Sequence, residues 1–292
     1  MQAEIRQSHH YRHISVHPLS GAVGAEIHGV DLAGPMSEEV FSEIHQAFLA
    51  HLVGFFRDQT LTPEALKTFA ARFGPLDIHT ILKSVDGHPE ILAVFTEPED
   101  RHVYAEGWHA DVTYQERPTL GAVLYALEVP SVGGDTLFSN QYLAYEALSP
   151  AMRTMLDGLY AVHSAERVYG DRQSEMDIKD EMVVVDPDMA RAQRCDHPVI
   201  RTHPETGRRS LFVNDHYTMR FTDMTEQESA PLLKFLLNHA IRPEFTARFK
   251  WRNGSVAIWD NRCVLHCPVA DYHGHRRHMH RVVITGERPR HV

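Results

Sequence analysis

His109-Ala110-Asp111 offers an imidazole and a carboxylate two residues apart. On a strand, that spacing turns both side chains to one face, where a single divalent ion could take both. At this composition His-x-Asp/Glu arises about three times by chance, so the pair alone specifies little. It recurs as His88-Pro89-Glu90 and His203-Pro204-Glu205, where the central proline suits a turn or a strand edge. A second imidazole, His266, ends the apolar run that begins at Ser255. Alone, a histidine there reads as a satisfied core group. With His109 and Asp111 it makes two imidazoles and one carboxylate, a set that leaves positions open on non-haem iron for co-substrate and oxygen. Zinc with a bound water could use the same atoms. Cys263 and Cys267 flank His266, but their C-x3-C spacing lacks a second pair and makes a poor zinc signature.

The stretch from Cys267 to Arg281 is dense in cations. On a strand Arg277, Met279 and Arg281 share one face and His278 and His280 the other, with Arg276 turned to the surface. Two guanidinium forks four residues apart could hold two different carboxylate- or sulfonate-like groups.

These groups need a scaffold. The chain has 292 residues, 43% hydrophobic and 23% charged, enough to bury a core without disulfides. Its net charge of −10 argues against nucleic acid or an anionic membrane as partner. Three cysteines, Cys195, Cys263 and Cys267, suit a reducing compartment. The start MQAEIRQSHHYRH has no apolar signal core, and the longest apolar stretch, about Ala47–Phe56, is far below the roughly 20 residues of a membrane span. A cytoplasmic location is expected. Ser37, Thr62 before Pro63, Ser149 before Pro150, and Thr225 with Glu228 mark helix starts. Pro231 argues for a later start of the last helix. Short β-type runs lie at Ala25–Val30, Leu52–Phe56, Ile91–Phe95, Leu120–Leu127, Thr136–Phe138, Val199–Thr202, Leu211–Val213, Ser255–Trp259 and Arg281–Thr285. Strands and helices do not alternate, which disfavours a doubly wound sheet and favours a jelly-roll or barrel core decorated by helices.

From roughly Val23 to Pro289 the chain resembles the taurine/2,4-dichlorophenoxyacetate dioxygenase (TauD/TfdA) family of Fe(II)- and 2-oxoglutarate-dependent oxygenases. The resemblance is carried, in order, by GAEIHGVDL, ARFGPLDIH, GWHADVTY, VPSVGGDTLF, HPVIRTHPETGRRSLFVN, AIWDNRCVLH and DYHGHRRHMHR. It implies a mainly β fold with helical insertions around a double-stranded β-helix (jelly-roll) core. It also implies one domain over residues 1–292, of which 1–15 are expected to be a flexible extension. Carried over, the iron ligands fall on His109, Asp111 and His266, and the distal carboxylate of 2-oxoglutarate meets Thr136 and Arg277. The substrate anion falls to His79 and Arg281, with the backbone at Val112 nearby and Tyr217 as an aromatic wall.

The chain departs from the taurine enzymes at Leu82 and Ala105, where they carry polar groups, and at Ala165, where they carry an aromatic. These changes imply a roomier, more apolar tail pocket. The implied reaction consumes O2 and 2-oxoglutarate, releases succinate and CO2, and hydroxylates the carbon next to a heteroatom. Its substrate is a small organic anion: an alkyl sulfonate or alkyl sulfate ester, releasing sulfite or sulfate and an aldehyde. Ala161–Ala165 and Leu82–Ser84 instead resemble the aryloxyalkanoate branch, which releases a phenol. A reading of another class is a metal-loaded, anion-binding jelly roll without oxygenase activity. A homo-oligomer, dimer or tetramer, is expected, and the charged stretch Tyr169–Arg194 reads equally as a mobile lid or a plain surface loop.

Overall fold

The computed structural model describes residues 10–79, 84–100, 106–169, 188 and 192–292. Its first half runs β1 (Ser15–Pro18), β2 (Ala25–His28), α1 (Glu38–His51), β3 (Val53–Phe56), α2 (Pro63–Ala71), β4 (Leu76–Asp77), β5 (Ser84–Val85), β6 (His88–Thr96), β7 (Gly121–Glu128), β8 (Thr136–Asn140) and α3 (Gln141–Glu146). Then follow α4 (Pro150–Leu156), β9 (Tyr160–Ser164), α5 (Glu166–Tyr169), β10 (Arg194–Pro198), β11 (Ile200–Thr202), β12 (Arg209–Leu211), β13 (Thr218–Phe221), α6 (Glu226–Ala240), β14 (Thr246–Phe249), β15 (Val256–Asp260), β16 (Val264–Pro268) and β17 (Arg277–Ile284).

Period-two burial builds the main sheet. In β15, Ala257 and Trp259 enter one core while Val256 and Ile258 enter another. Among the described residues this sheet has nine strands, ordered β1-β2-β3-β15-β7-β17-β6-β5, with β4 on β17. One face packs on the β14-β8-β16 sheet, where Phe55, Leu124, Trp259 and Met279 meet Phe138, Phe249 and Val264. Phe55 stacks on Phe249 with ring centroids 3.8 Å apart. This pair of sheets is the double-stranded β-helix core. The opposite face carries α1 and α2, through Phe48 and Phe69 against Val123, Ile258 and Val282. A third cluster joins Ala110 and Leu265, each beside a metal-type residue in sequence, to Phe221 of β13 and Leu236 of α6.

The helix starts follow their capping residues. The side chains of Ser37, Thr62 and Ser149 accept from Val40, Ala65 and Met152 N–H groups, and Thr225 with Glu228 forms a capping box. Pro231 does not delay α6. The capping box holds the first turn, and the proline withdraws only the bond to the Gln227 carbonyl. β17 begins at Arg277 rather than Arg281, because its cationic half pairs with β6 from Thr96 to Leu92. β6 begins at His88; the β17 ladder starts only at Ile91, so Pro89 sits in the strand but clear of that pairing. Leu211–Val213 shifts back to Arg209–Leu211.

Residues 1–9 of the expected flexible extension lie outside the described residues. The N–H groups of Arg12, His13 and Ile14 donate to the Glu43 carboxylate at 2.8, 2.9 and 3.2 Å, and Ser15 opens β1. An acceptor on α1 therefore ties this segment to the body. Leu82, Ala105 and most of the Tyr169–Arg194 stretch lie outside the described residues. Among the described residues, no helix is long and apolar enough to cross a membrane.

Candidate metal and co-substrate site

Two distant segments meet through backbone. His109 N–H donates to the His266 carbonyl at 2.9 Å and His266 N–H to the His109 carbonyl at 2.8 Å. This single bridge, not a continued strand, brings the two rings to a centroid separation of 4.2 Å. Past Asp111 the chain turns sharply: Val112 has φ 44°, a left-handed conformation rare for a β-branched residue, and its carbonyl accepts from Gln115 N–H. The shared face expected from strand spacing is thus produced by a bridge followed by a turn.

Asp111 Oδ1 lies 3.6 Å from Nε2 of His109 and 3.6 Å from Nε2 of His266. The three residues are 3%, 2% and 6% exposed, so one ion among these donors would be shielded from bulk water. His109 Nδ1 is 3.0 Å from the Gly107 carbonyl. A carbonyl only accepts, so Nδ1 carries the proton and the Nε2 lone pair faces Asp111. The His266 ring is held by aromatic walls, Trp259 at 4.8 Å and Phe138 at 6.4 Å between centroids.

The second oxygen of Asp111 is occupied. Arg281 reaches Oδ2 at 2.6 Å and Asn261 Nδ2 at 2.9 Å, leaving Oδ1 as the donor atom. Burial opposes charge on Asp111, but Arg281, His266 and His109 hold its carboxyl well below the usual carboxylate range. Burial keeps both imidazoles neutral, pushing His266 down to about 4 and His109 well below its ordinary value. Two neutral imidazoles and one carboxylate are the protonation states a divalent metal requires.

A cavity of about 590 Å³, counting its open mouth, adjoins these donors. At its other end stands Arg277, only 5% exposed, whose Nε has no hydrogen-bond partner among the described residues. A buried guanidinium in that state calls for an anion. Beside it, Thr136 Oγ1 accepts from Trp251 Nε1 at 2.9 Å, which leaves the threonine proton to be donated elsewhere. Gly134, at φ +68°, presses on this cradle; a Cβ there would lie 3.3 Å from Tyr272 and 3.4 Å from Arg277. Metal donors at one end and an arginine–hydroxyl pair at the other suit a dicarboxylate that chelates the ion through its keto acid.

Residues 15–283 match the taurine catabolism dioxygenase TauD, TfdA family. The chain belongs to this family. It is an oxidoreductase, a dioxygenase that uses Fe(II), 2-oxoglutarate and O2. An α-ketoglutarate-dependent sulfate ester dioxygenase of Pseudomonas putida is 34% identical, over 98% of this chain and 94% of its own. An alkylsulfatase of Acinetobacter baylyi is 33% identical, over 94% of this chain and 86% of its own. The crystal structure of a taurine dioxygenase from Burkholderia xenovorans superposes with a TM-score of 0.80 at 37% identity, covering 95% of this chain and 91% of that one.

Within this TauD-type frame, His109, Asp111 and His266 come together, and Thr136 and Arg277 line one cavity with His109 and His266. His79 is partly buried and close enough to Arg281 and Asp111 for both to act on it. Burial and then Arg281 push its ring down to about 3, with Asp111 opposing. Tyr217 is buried edge-on against Tyr114, with centroids 5.1 Å apart. Sequence reading missed the grip of Arg281 on Asp111, and also Asn261, Trp251 and His216. Asn261 could have been found as a polar residue inside the apolar run leading to His266; Trp251 carries no pattern at all.

A second group of metal-type donors, His203, Asp260 and Cys263, is also buried. It is a different object. Both Asp260 oxygens are held by the Arg262 guanidinium at 2.7 Å, and His203 adds a contact at 3.0 Å. A fixed positive charge already occupies the place a cation would take.

Proposed function

We propose that this dioxygenase hydroxylates the carbon bearing the sulfur oxyanion of an alkyl sulfate ester or alkyl sulfonate. The hydroxylated product then collapses to an aldehyde and releases sulfate or sulfite. The observation that carries this reading is the pairing of two separate anion sites on β17. Arg277 lines the cavity, while Arg281, four residues on, holds Asp111 at 2.6 Å and acts electrostatically on His79. The names of the Pseudomonas and Acinetobacter relatives support a sulfur oxyanion as head group.

In this reading His109, Asp111 and His266 hold iron, and Thr136 and Arg277 hold the distal carboxylate of 2-oxoglutarate. Iron, with 2-oxoglutarate and O2, supplies the oxidising power that inserts oxygen into a C–H bond. The chain supplies placement. Arg281 and His79 clamp the head group, because a desolvated anion needs paired donors to offset its burial. The bend at Val112 brings backbone to the same place, and Tyr217 walls the pocket. Asn261 and Arg281 keep Asp111 a one-oxygen donor, which preserves open positions for co-substrate and O2. The three unpaired cysteines support a reducing, cytoplasmic setting. A dimer or tetramer belongs to the same proposal and is checked by light scattering.

The test compares product release from an alkyl sulfate, an alkyl sulfonate and an aryloxypropionate. Sulfate or sulfite formed with an aldehyde supports the proposal. Phenol release that outpaces both would replace it with the aryloxyalkanoate reading.

A further inference from the structure

His216 takes no part in the chemistry described so far, yet it lies flat on a metal-type residue. Its ring stacks on that of His109 with centroids 4.4 Å apart and planes 9° apart. It is buried, and its Nε2 is 2.8 Å from the Glu106 carbonyl. Since that carbonyl only accepts, Nε2 is the donor and the ring is pinned to the segment leading into His109. A second tie runs alongside, from Asp215 N–H to the Trp108 carbonyl at 3.3 Å. Gly107, between the two tied residues, has φ +112°, and a Cβ there would fall 2.8 Å from His216 Nε2. The backbone therefore approaches the ring as closely as only glycine permits.

The need for such a wall is geometric. The Gly107 carbonyl fixes His109 Nδ1, a single point on the ring edge, at 3.0 Å. One hydrogen bond sets the tautomer but leaves the ring free to tilt about it. The His266 ring stands at 50° to His109 and offers no flat support.

We propose that His216 is a positioning residue, whose stacked ring fixes the plane of His109 and so aims its Nε2 at the ion. The proposal rests on the reading of His109 as a metal ligand. Outer partners of metal-binding histidines typically change metal affinity about 10–100-fold when lost. Here the partner acts through a ring face rather than a hydrogen bond to the ligand.

The test is titration of metal-free protein with Co(II), followed by its visible absorption. Wild type is compared with His216→Ala, His216→Gln, His216→Phe and His109→Ala. Glutamine keeps an N–H donor for Glu106 without the ring; phenylalanine keeps a ring without the donor. The proposal expects His216→Ala and His216→Gln to bind Co(II) about tenfold or more weakly, with an altered spectrum. It expects His216→Phe to return most of the affinity and the wild-type band shape. Wild-type titration of both His216→Ala and His216→Gln would overturn it, as would rescue by glutamine and not by phenylalanine. If His216→Ala does not fold, the Gln/Phe pair decides alone. Unchanged Co(II) binding in His109→Ala would instead remove the ligand reading itself and this inference with it.

Discussion

Asp111 carries two duties on one carboxylate. Oδ1 faces two imidazole nitrogens, while Oδ2 is clamped by Arg281 at 2.6 Å and Asn261 at 2.9 Å. Hydrogen bonds to a charged group are worth about 1.5–3 kcal/mol each, so Oδ2 is not easily recruited as a second metal contact. Arg281 therefore holds Asp111 in addition to its proposed part in the head-group clamp, and the two β17 arginines should fail differently. Arg277→Ala is expected to raise the KM for 2-oxoglutarate about a hundredfold and leave the KM for an alkyl sulfate nearly unchanged. Arg281→Ala is expected to raise the KM for the alkyl sulfate by a similar factor and also to lower kcat, because Asp111 loses its clamp. Steady-state kinetics with each ligand varied in turn separates the two; equal effects on both KM values in either variant would refute this division. The arginines and the metal donors were legible in sequence because each belongs to a short pattern or a family motif. Asn261 showed only as a polar residue inside an apolar run, with nothing in the sequence to say that its amide serves Asp111, 150 positions away.

At the scale of elements, the site depends on strands that approach without side chains between them. Gly121 opens β7 opposite Asp260 of β15, and a Cβ at this position would run into the Trp259 carbonyl. Gly121→Ala should therefore push β7 from β15, disturbing the turn that carries Asn261. A loss of about 2–3 kcal/mol is expected, read as a lower urea midpoint with an unchanged slope. Wild-type stability would mean that the two strands can part without strain. Helix positions were readable because Ser37, Thr62, Ser149 and Thr225 each meet an orphan N–H of a first turn. The strand Arg194–Pro198 was not, since Arg-Cys-Asp-His-Pro has no apolar alternation and is held by its ladder to β9. The bend at Val112 was equally hidden, because nothing in a valine announces a left-handed backbone.

Across the whole molecule, a polar cluster, buried at Asp260, Arg262 and His203 and open at Glu205, ties the end of β15 to the turn at His203 and to α1. Arg262 holds Asp260 and Glu205, and His45 of α1 contacts Glu205 at 3.1 Å. The His45 contact, against the opposing effect of burial and with help from Arg262, brings the Glu205 carboxyl down to about 2. Arg262 and His203 likewise hold Asp260 below its ordinary value in spite of burial. Both carboxyls are more acidic folded than unfolded. Glu205's contribution is complete above about pH 4.5 and is lost as pH falls toward 2, while Asp260's persists into stronger acid. Glu205→Gln should make stability fall less steeply across that window, with little change in slope between pH 6 and 8, as followed by thermal melts. An acid slope identical to wild type would show that Glu205 is not held by its partners. The jelly-roll class was legible from the separation of strand and helix signals, whereas this centre was not, because it joins α1, the His203 turn and β15 from three distant parts of the chain.

The measurement that bears most directly on the account is succinate formed from 2-oxoglutarate by the Fe(II)-loaded protein in air, with and without an alkyl sulfate. Succinate is expected in step with sulfate, formed at an appreciable rate only with the alkyl sulfate present, and absent from the His109→Ala protein. Succinate production that survives His109→Ala, or a wild-type protein that binds iron and yields none with any sulfate, sulfonate or aryloxyalkanoate, would contradict it.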